Sequence, residues 1–449
     1  MWESVVVLLA AALALWQGAQ PAKPAPPVPD APPVSLTVAQ VMALQPAAIK
    51  APLTSLEGEH AVYTAAWASL QTYLTTPFDP STDEGLPDAL EAVPLFGWDA
   101  GLVRARLLHA LPGLATKPVE YQRAVLTGAH TLFWAEAATP LMGLLPQITT
   151  PKEFAIAAYT VLRASDTGPV RAGLRAQMQA NFAQWEQEPR LQALERRLRA
   201  EPPDDLAQRP PLLDLLQAPI KPGYPVVFSL QRHNRTYPGL AVVRGADGRF
   251  VRKPDGSVFA LAQLALAKSH LPGTITNGNT PQGVFVVKGT VAATNQWIGP
   301  TPALQSKLPT EATVPEFAHD ESTVAAWDES RYWSYLPPSW QGYAPLREAW
   351  LAGLAGRDEM WLHGDTVNPH YYRNASYFPY APSAGCMVAI EYWSQADGTL
   401  LQSDQLALVK AFASSGTLQG YLVVVELDDR QQPVALADVL QELLAAEAR

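Results

Sequence analysis

Apolar residues recur three and four positions apart through the first half of the chain. "EFAIAAYTVLRA" (Glu153 to Ala164), "VRAGLRAQMQANFAQW" (Val170 to Trp185) and "RLQALERRLRA" (Arg190 to Ala200) each set an apolar stripe beside a polar one. That is the pattern of helices sharing a core. The spacing predicts an all-α domain over residues 35–217. Within it, "TKPVEYQRA" (Thr116 to Ala124) and "TTPKEFAIA" (Thr149 to Ala157) share T-x-P-x-E followed by Tyr or Phe. Each reads as a helix start, with proline near the first turn and glutamate behind it. Their separation is that of stacked helical hairpins, but two copies fall short of a solenoid, and a compact helical domain is expected.

"EPPDDLAQRPP" (Glu201 to Pro211) ends this pattern. After Pro222 the period shortens. "YPVVFSL", "GLAVVRG", "GRFVRK" and "GVFVVKG" are β-branched runs bounded by Gly, Pro and Asp, with "GADG" and "KPDG" as hairpin turns. A β-rich domain is predicted over 221–430, closing on "GYLVVVEL" (Gly420 to Leu427), with a terminal helix in 431–449. Residues 289–357 read as a long insert rich in aromatics, among them Trp297, Trp327, Tyr332, Trp333, Tyr335, Trp340, Tyr343 and Trp350. Such insertions are often lids or binding walls. The rings either form the insert's own core or stack on a ligand, and Trp333 and Trp340 are the candidates for contact.

A chain of 449 residues is too long for one core. The formal net charge of -10, with no long basic run, argues against nucleic acid as a partner. Val5 to Leu15 is an unbroken apolar run of signal-peptide length, followed by Gly18 and Ala19. Residues 1–19 are expected to be an export signal or an N-terminal anchor, although Glu3 stands where a basic residue is usual. Residues 20–34, rich in Pro and Ala, read as an extended linker. The protein is therefore expected in the periplasm or cell envelope. The eight histidines show no metal-ligand spacing and no phosphate-binding glycine loop is present, so no metal and no cofactor are expected.

"APSAGCMVAI" (Ala381 to Ile390) holds the only cysteine, Cys386. A lone thiol in an exported chain is an inert buried residue, an intermolecular bridge or a reactive group. Its surroundings point to the last. Gly385 allows a sharp turn that brings backbone N–H groups near the sulfur, suited to an oxyanion. His363, followed by Gly364 in "WLHGD", is a candidate base that would take the thiol proton. Ser383 is expected to hydrogen-bond within the turn or to the base.

Three motifs occur in the order Thr280-Pro281-Gln282-Gly283, His363-Gly364 and Ser383-Ala384-Gly385-Cys386. In this order they resemble the YkuD-type L,D-transpeptidase catalytic domain, over roughly Tyr224 to Asp429 and not over the helical half. The resemblance implies a β-sandwich-like domain whose cysteine attacks a tetrapeptide stem of peptidoglycan, releases the terminal D-Ala and passes the acyl group to an amine. By position, Cys386 is the nucleophile and His363 its base, with Gly385 and Cys386 offering backbone donors and Gly364 and Ala384 lining the substrate groove. Ala384 replaces a histidine usual in the family, and Val388 an arginine usual two places after the cysteine. His370 and Arg373 are candidates to replace those polar contacts. No carboxylate is assignable as orienter of His363. The alternatives are a cysteine amidase or endopeptidase of the same fold, and a non-catalytic wall-binding protein. The helical domain is a spacer, a substrate wall or a platform for an envelope protein partner.

Overall fold

The structure, a computed structural model, describes residues 36–79, 83–199 and 208–448. The expected signal or anchor and the linker lie outside the described residues. Among those described, no helix is long and apolar enough to cross a membrane.

Helices from Leu56–Thr75 to Pro189–Arg199 pack around one core. Its centre is the Pro151–Ala164 helix, in which every residue from Glu153 to Leu162 is buried. Both repeat-like segments begin helices, at Val119 and Pro151. The buried Glu153 carboxylate pairs at 3.0 Å with Arg123 of the other one. A charge removed from water needs such a partner, so this contact ties the two segments together.

The C-terminal half is built on one eight-stranded sheet in the order β3-β2-β1-β10-β4-β5-β6-β7. The strands are β1 (Val226–Arg232), β2 (Gly239–Arg244), β3 (Ala260–Gln263), β4 (Gly283–Val291), β5 (Ala303–Lys307), β6 (Met360–His363), β7 (Met387–Val388) and β10 (Gly420–Asp428). β1 and β10 are parallel, as are β6 and β7. The sheet curls until its ends nearly meet. Leu264, just past β3, bridges Val388 in β7, and Ala267 bridges Ser383.

β1 and β10 are apolar on both sides, so both faces of the sheet require cover. Val226, Phe228, Val284, Val286, Tyr421 and Val423 pack on one face against the Leu212–Gln217 helix, the aromatic insert and the Leu440–Glu447 helix. Val227, Phe285, Val287, Leu362, Met387 and Val424 alternate to the other face, against Leu408, Val409 and Phe412 of the Asp404–Ala413 helix. The expected two-sheet sandwich is thus replaced by one nearly closed sheet covered by helices on both faces. β8 (Glu391–Trp393) and β9 (Leu400–Ser403) form a separate two-stranded ribbon.

Three further expectations are corrected. The proposed insert, 289–357, contains the end of β4 and all of β5, and its aromatic part lies on the sheet as core. Trp340 is fully buried and its indole N–H donates to the Pro211 carbonyl at 3.0 Å. Trp333 is half-buried against the same core and donates to Glu329 at 3.2 Å, so neither is a free lid residue. The helical boundary also moves. Residues 36–55 belong with the sheet half, since Val41 enters its core and Lys50 bridges Thr399. Conversely, Leu271 and Ile275, in the loop before β4, enter the helical core.

Burial of Trp340 sets the first test. Trp340→Ala should lower stability by about 3–5 kcal/mol, read by thermal or urea unfolding. A melting temperature equal to wild type would return Trp340 to the surface.

Candidate active site around Cys386

Cys386 leads into β7, and its preceding turn is fixed from several sides. Ser383 Oγ accepts from the Gly385 N–H at 2.9 Å and donates to the Cys386 carbonyl at 2.8 Å. The role of Ser383 is therefore internal to the turn. It also commits the Gly385 N–H, which is not free as an oxyanion donor. Gly385 has φ +122, and a Cβ there would collide with the Arg357 guanidinium and the Gly278 carbonyl. Only glycine satisfies both the dihedral and the space.

The first motif touches the third. Thr280 Oγ1 donates to the Gly385 carbonyl at 2.7 Å across 105 residues of chain. The Thr280 carbonyl in turn accepts from Arg235 at 3.2 Å, and Arg235 pairs with Glu426 at 2.9 Å. The second motif is the neighbouring strand, with Leu362 opposite Met387 and His363 opposite Val388.

The sulfur itself lies on the edge of β6. Sγ accepts from the Trp361 N–H at 3.3 Å and donates to the Glu359 carbonyl at 3.3 Å, standing where a further strand's backbone would pair. The Glu359 peptide, at φ +54, is held by Glu311, whose carboxylate accepts from the Glu359 N–H at 3.3 Å and the Leu308 N–H at 2.8 Å. Burial pushes the Cys386 thiol up to about 11. The Trp361 N–H and the Arg357 charge draw it down by less, while Glu359 and Glu311 add to the rise. The residue keeps part of its surface exposed. A partly ionised thiol is thus not what the chain holds at rest; near pH 7 the thiol is neutral.

His363 is buried, and its Nδ1 is hydrogen-bonded to the Gly364 carbonyl. A carbonyl only accepts, so the ring proton sits on Nδ1 and the Nε2 lone pair remains. Burial brings the imidazole down to about 4, so it too is neutral. No hydrogen bond joins His363 to Cys386. The orienting acceptor is backbone, and Asp365 has other business: its Oδ1 accepts from the Val367 N–H at 3.1 Å. Burial, with Glu391 adding to it, drives its carboxyl well above the usual carboxylate range.

The remaining predicted residues separate. Gly364 is buried, and the space where a Cβ would lie is filled by the Glu391 carboxylate, so it does not line an open groove. Ala384 is exposed beside the thiol turn. His370 and Arg373 are exposed on the segment after Pro369, with the His370 ring beside Phe378, and neither is hydrogen-bonded to Cys386 or His363. The charge nearest the turn is Arg357, which sequence reading missed because "GRDEM" looks like a solvated turn. Among the described residues, no group of His, Cys, Asp and Glu is arranged to hold a metal ion.

No family model, curated protein or solved structure matches the chain.

A raised thiol pKa has a direct consequence. The thiolate is the reactive form, so below the midpoint each unit of upward shift slows alkylation tenfold. Iodoacetamide should label native Cys386 on the order of a hundredfold more slowly at pH 7 than the unfolded chain. The native rate should keep climbing above pH 9, and a plateau below pH 8 would contradict the assignment.

Proposed function

We propose that the chain is a cysteine acyltransferase of the L,D-transpeptidase kind, acting on peptidoglycan stem peptides in the cell envelope. The observation that carries this reading is the meeting of the three motifs, with Thr280 bonded to Gly385 and the strand of His363 paired to the strand that follows Cys386.

In this reading Sγ attacks the carbonyl carbon of the stem's scissile peptide bond. The thiol proton passes to His363 Nε2, and the imidazolium protonates the departing amine. The product is a thioester on Cys386. An acceptor amine then attacks the thioester, gives its proton to Nε2, and expels the thiolate, which recovers the proton. Both groups start neutral, so no preformed ion pair has to be broken. The cost of separating charge falls in the transition state, where the Trp361 N–H and Arg357 oppose it.

One observation favours a second reading. The thiol satisfies the free N–H of Trp361 and carbonyl of Glu359 as a structural plug, which a non-catalytic protein would also use. The two readings separate on incubation of the purified chain with tetrapeptide-bearing wall. Intact-mass analysis should find an acyl adduct on the wild type and none on Cys386→Ser, and muropeptide analysis should find new cross-links. His363→Ala should slow adduct formation by about 10²–10⁴-fold while melting close to wild type. Absence of any adduct, with Cys386→Ser as stable as wild type, would reject acyl transfer.

A further inference from the structure

The buried guanidinium of Arg357 has an unusual environment. Only 3% of the residue is exposed. Nη1 donates to the Gly273 carbonyl and, at 2.9 Å, to that of Asn279; Nη2 donates to the Gly278 carbonyl at 3.0 Å and to Met360 Sδ at 3.2 Å. All of these acceptors are neutral. Among the described residues no carboxylate forms an ion pair with it. A buried cation with no anion bonded to it is costly, so the acidic groups that act on it through space matter.

Three groups nearby can carry a negative charge, Glu348, Cys386 and Asp358. Glu348 spends its oxygens on the N–H groups of Gly273 and Gln282, at 2.8 and 2.9 Å, and burial raises its pKa. Cys386 follows the glycine that lies directly on the guanidinium, and each of the two charges acts on the other. The other groups facing the sulfur do not help an anion. Glu359 and Glu311 oppose it, and His363, farther along β6, is neutral.

We propose that Arg357 is the counter-ion of the Cys386 thiolate and the residue that positions its turn. This rests on the reading of Cys386 as the nucleophile. The guanidinium is fixed by the loop carbonyls before any thiolate forms, so it need not reorganise when charge appears on sulfur. The carbonyl acceptors hold it in place without neutralising it. It is a positioning and electrostatic group and takes no proton during the reaction.

The test uses alkylation by iodoacetamide across pH 6 to 11, which requires no wall substrate. Arg357→Gln removes the charge. It should move the alkylation profile upward by about one pH unit, and so slow labelling about tenfold at any pH below the midpoint. Arg357→Lys keeps the charge and should recover most of the rate. A Gln variant that melts like wild type and shows the wild-type profile would overturn the proposal. Should Arg357→Gln not fold, Cys386→Asp and Cys386→Asn give the same answer with Arg357 intact. The anionic side chain should melt at or above its neutral isostere at pH 8, and a higher melting temperature for the Asn variant would overturn the ion pair. Loss of acyl transfer with the Arg357 effect present would reject the enzyme reading alone. An acyl adduct with no Arg357 effect would reject this inference alone.

Discussion

Three loop carbonyls grip one buried guanidinium, and the geometry around the only cysteine depends on that grip. Gly273, Gly278 and Asn279 hold Arg357 through their carbonyls, and Gly385 lies against both the guanidinium and the Gly278 carbonyl. The same loop sends Leu271 and Ile275 into the helical core. Lys152 reaches Thr276 at 2.8 Å, and Gln282, three residues after the loop's last grip, donates its backbone N–H to Glu348. The helical half is therefore a buttress for the thiol turn and not a detached spacer.

The site keeps its charges suppressed. Burial favours the neutral form of each titrating group, raising acids and lowering bases. Cys386 and Glu311 are pushed up to about 11 and about 7, and His363 is brought down to about 4. A neutral thiol and a neutral imidazole not bonded to each other are a different starting point from a preformed thiolate–imidazolium pair. In the proposed acyl transfer, a thiol held neutral would be shielded from adventitious electrophiles and would ionise only at the moment of attack. The fixed donors, the Trp361 N–H and Arg357, are in place for that moment, and fixed dipoles and charges act most strongly where water is excluded.

Much of this was legible along the chain, because it is written in local patterns. The buried helix at Pro151–Ala164, the apolar runs Val226–Leu230 (broken only by Ser229) and Tyr421–Val425, and the order of Thr280, His363 and Cys386 all carry their own signals. The two-sided cover of the sheet follows from the same apolar strands, yet a sandwich was the expectation, because period-2 patterns do not reveal whether a sheet or helices lie above. The roles of Trp340 and Arg357 were not legible. An aromatic on a core and one on a groove have the same sequence signature, and an isolated arginine in a charged turn looks solvated. The orienter of His363 could not be found among side chains, since it is the backbone carbonyl of Gly364.

The presence of a single cysteine makes the central claim, a thiol held neutral at rest in a slot of backbone and Arg357, directly measurable. Protein made with ¹³Cβ-cysteine has one labelled site, whose shift differs between thiol and thiolate. Followed from pH 6 to 11 in the folded protein, the resonance should stay at the thiol position through pH 9 and move only above it. A resonance already at the thiolate position at pH 7 would mean a preformed ion pair and would contradict the account.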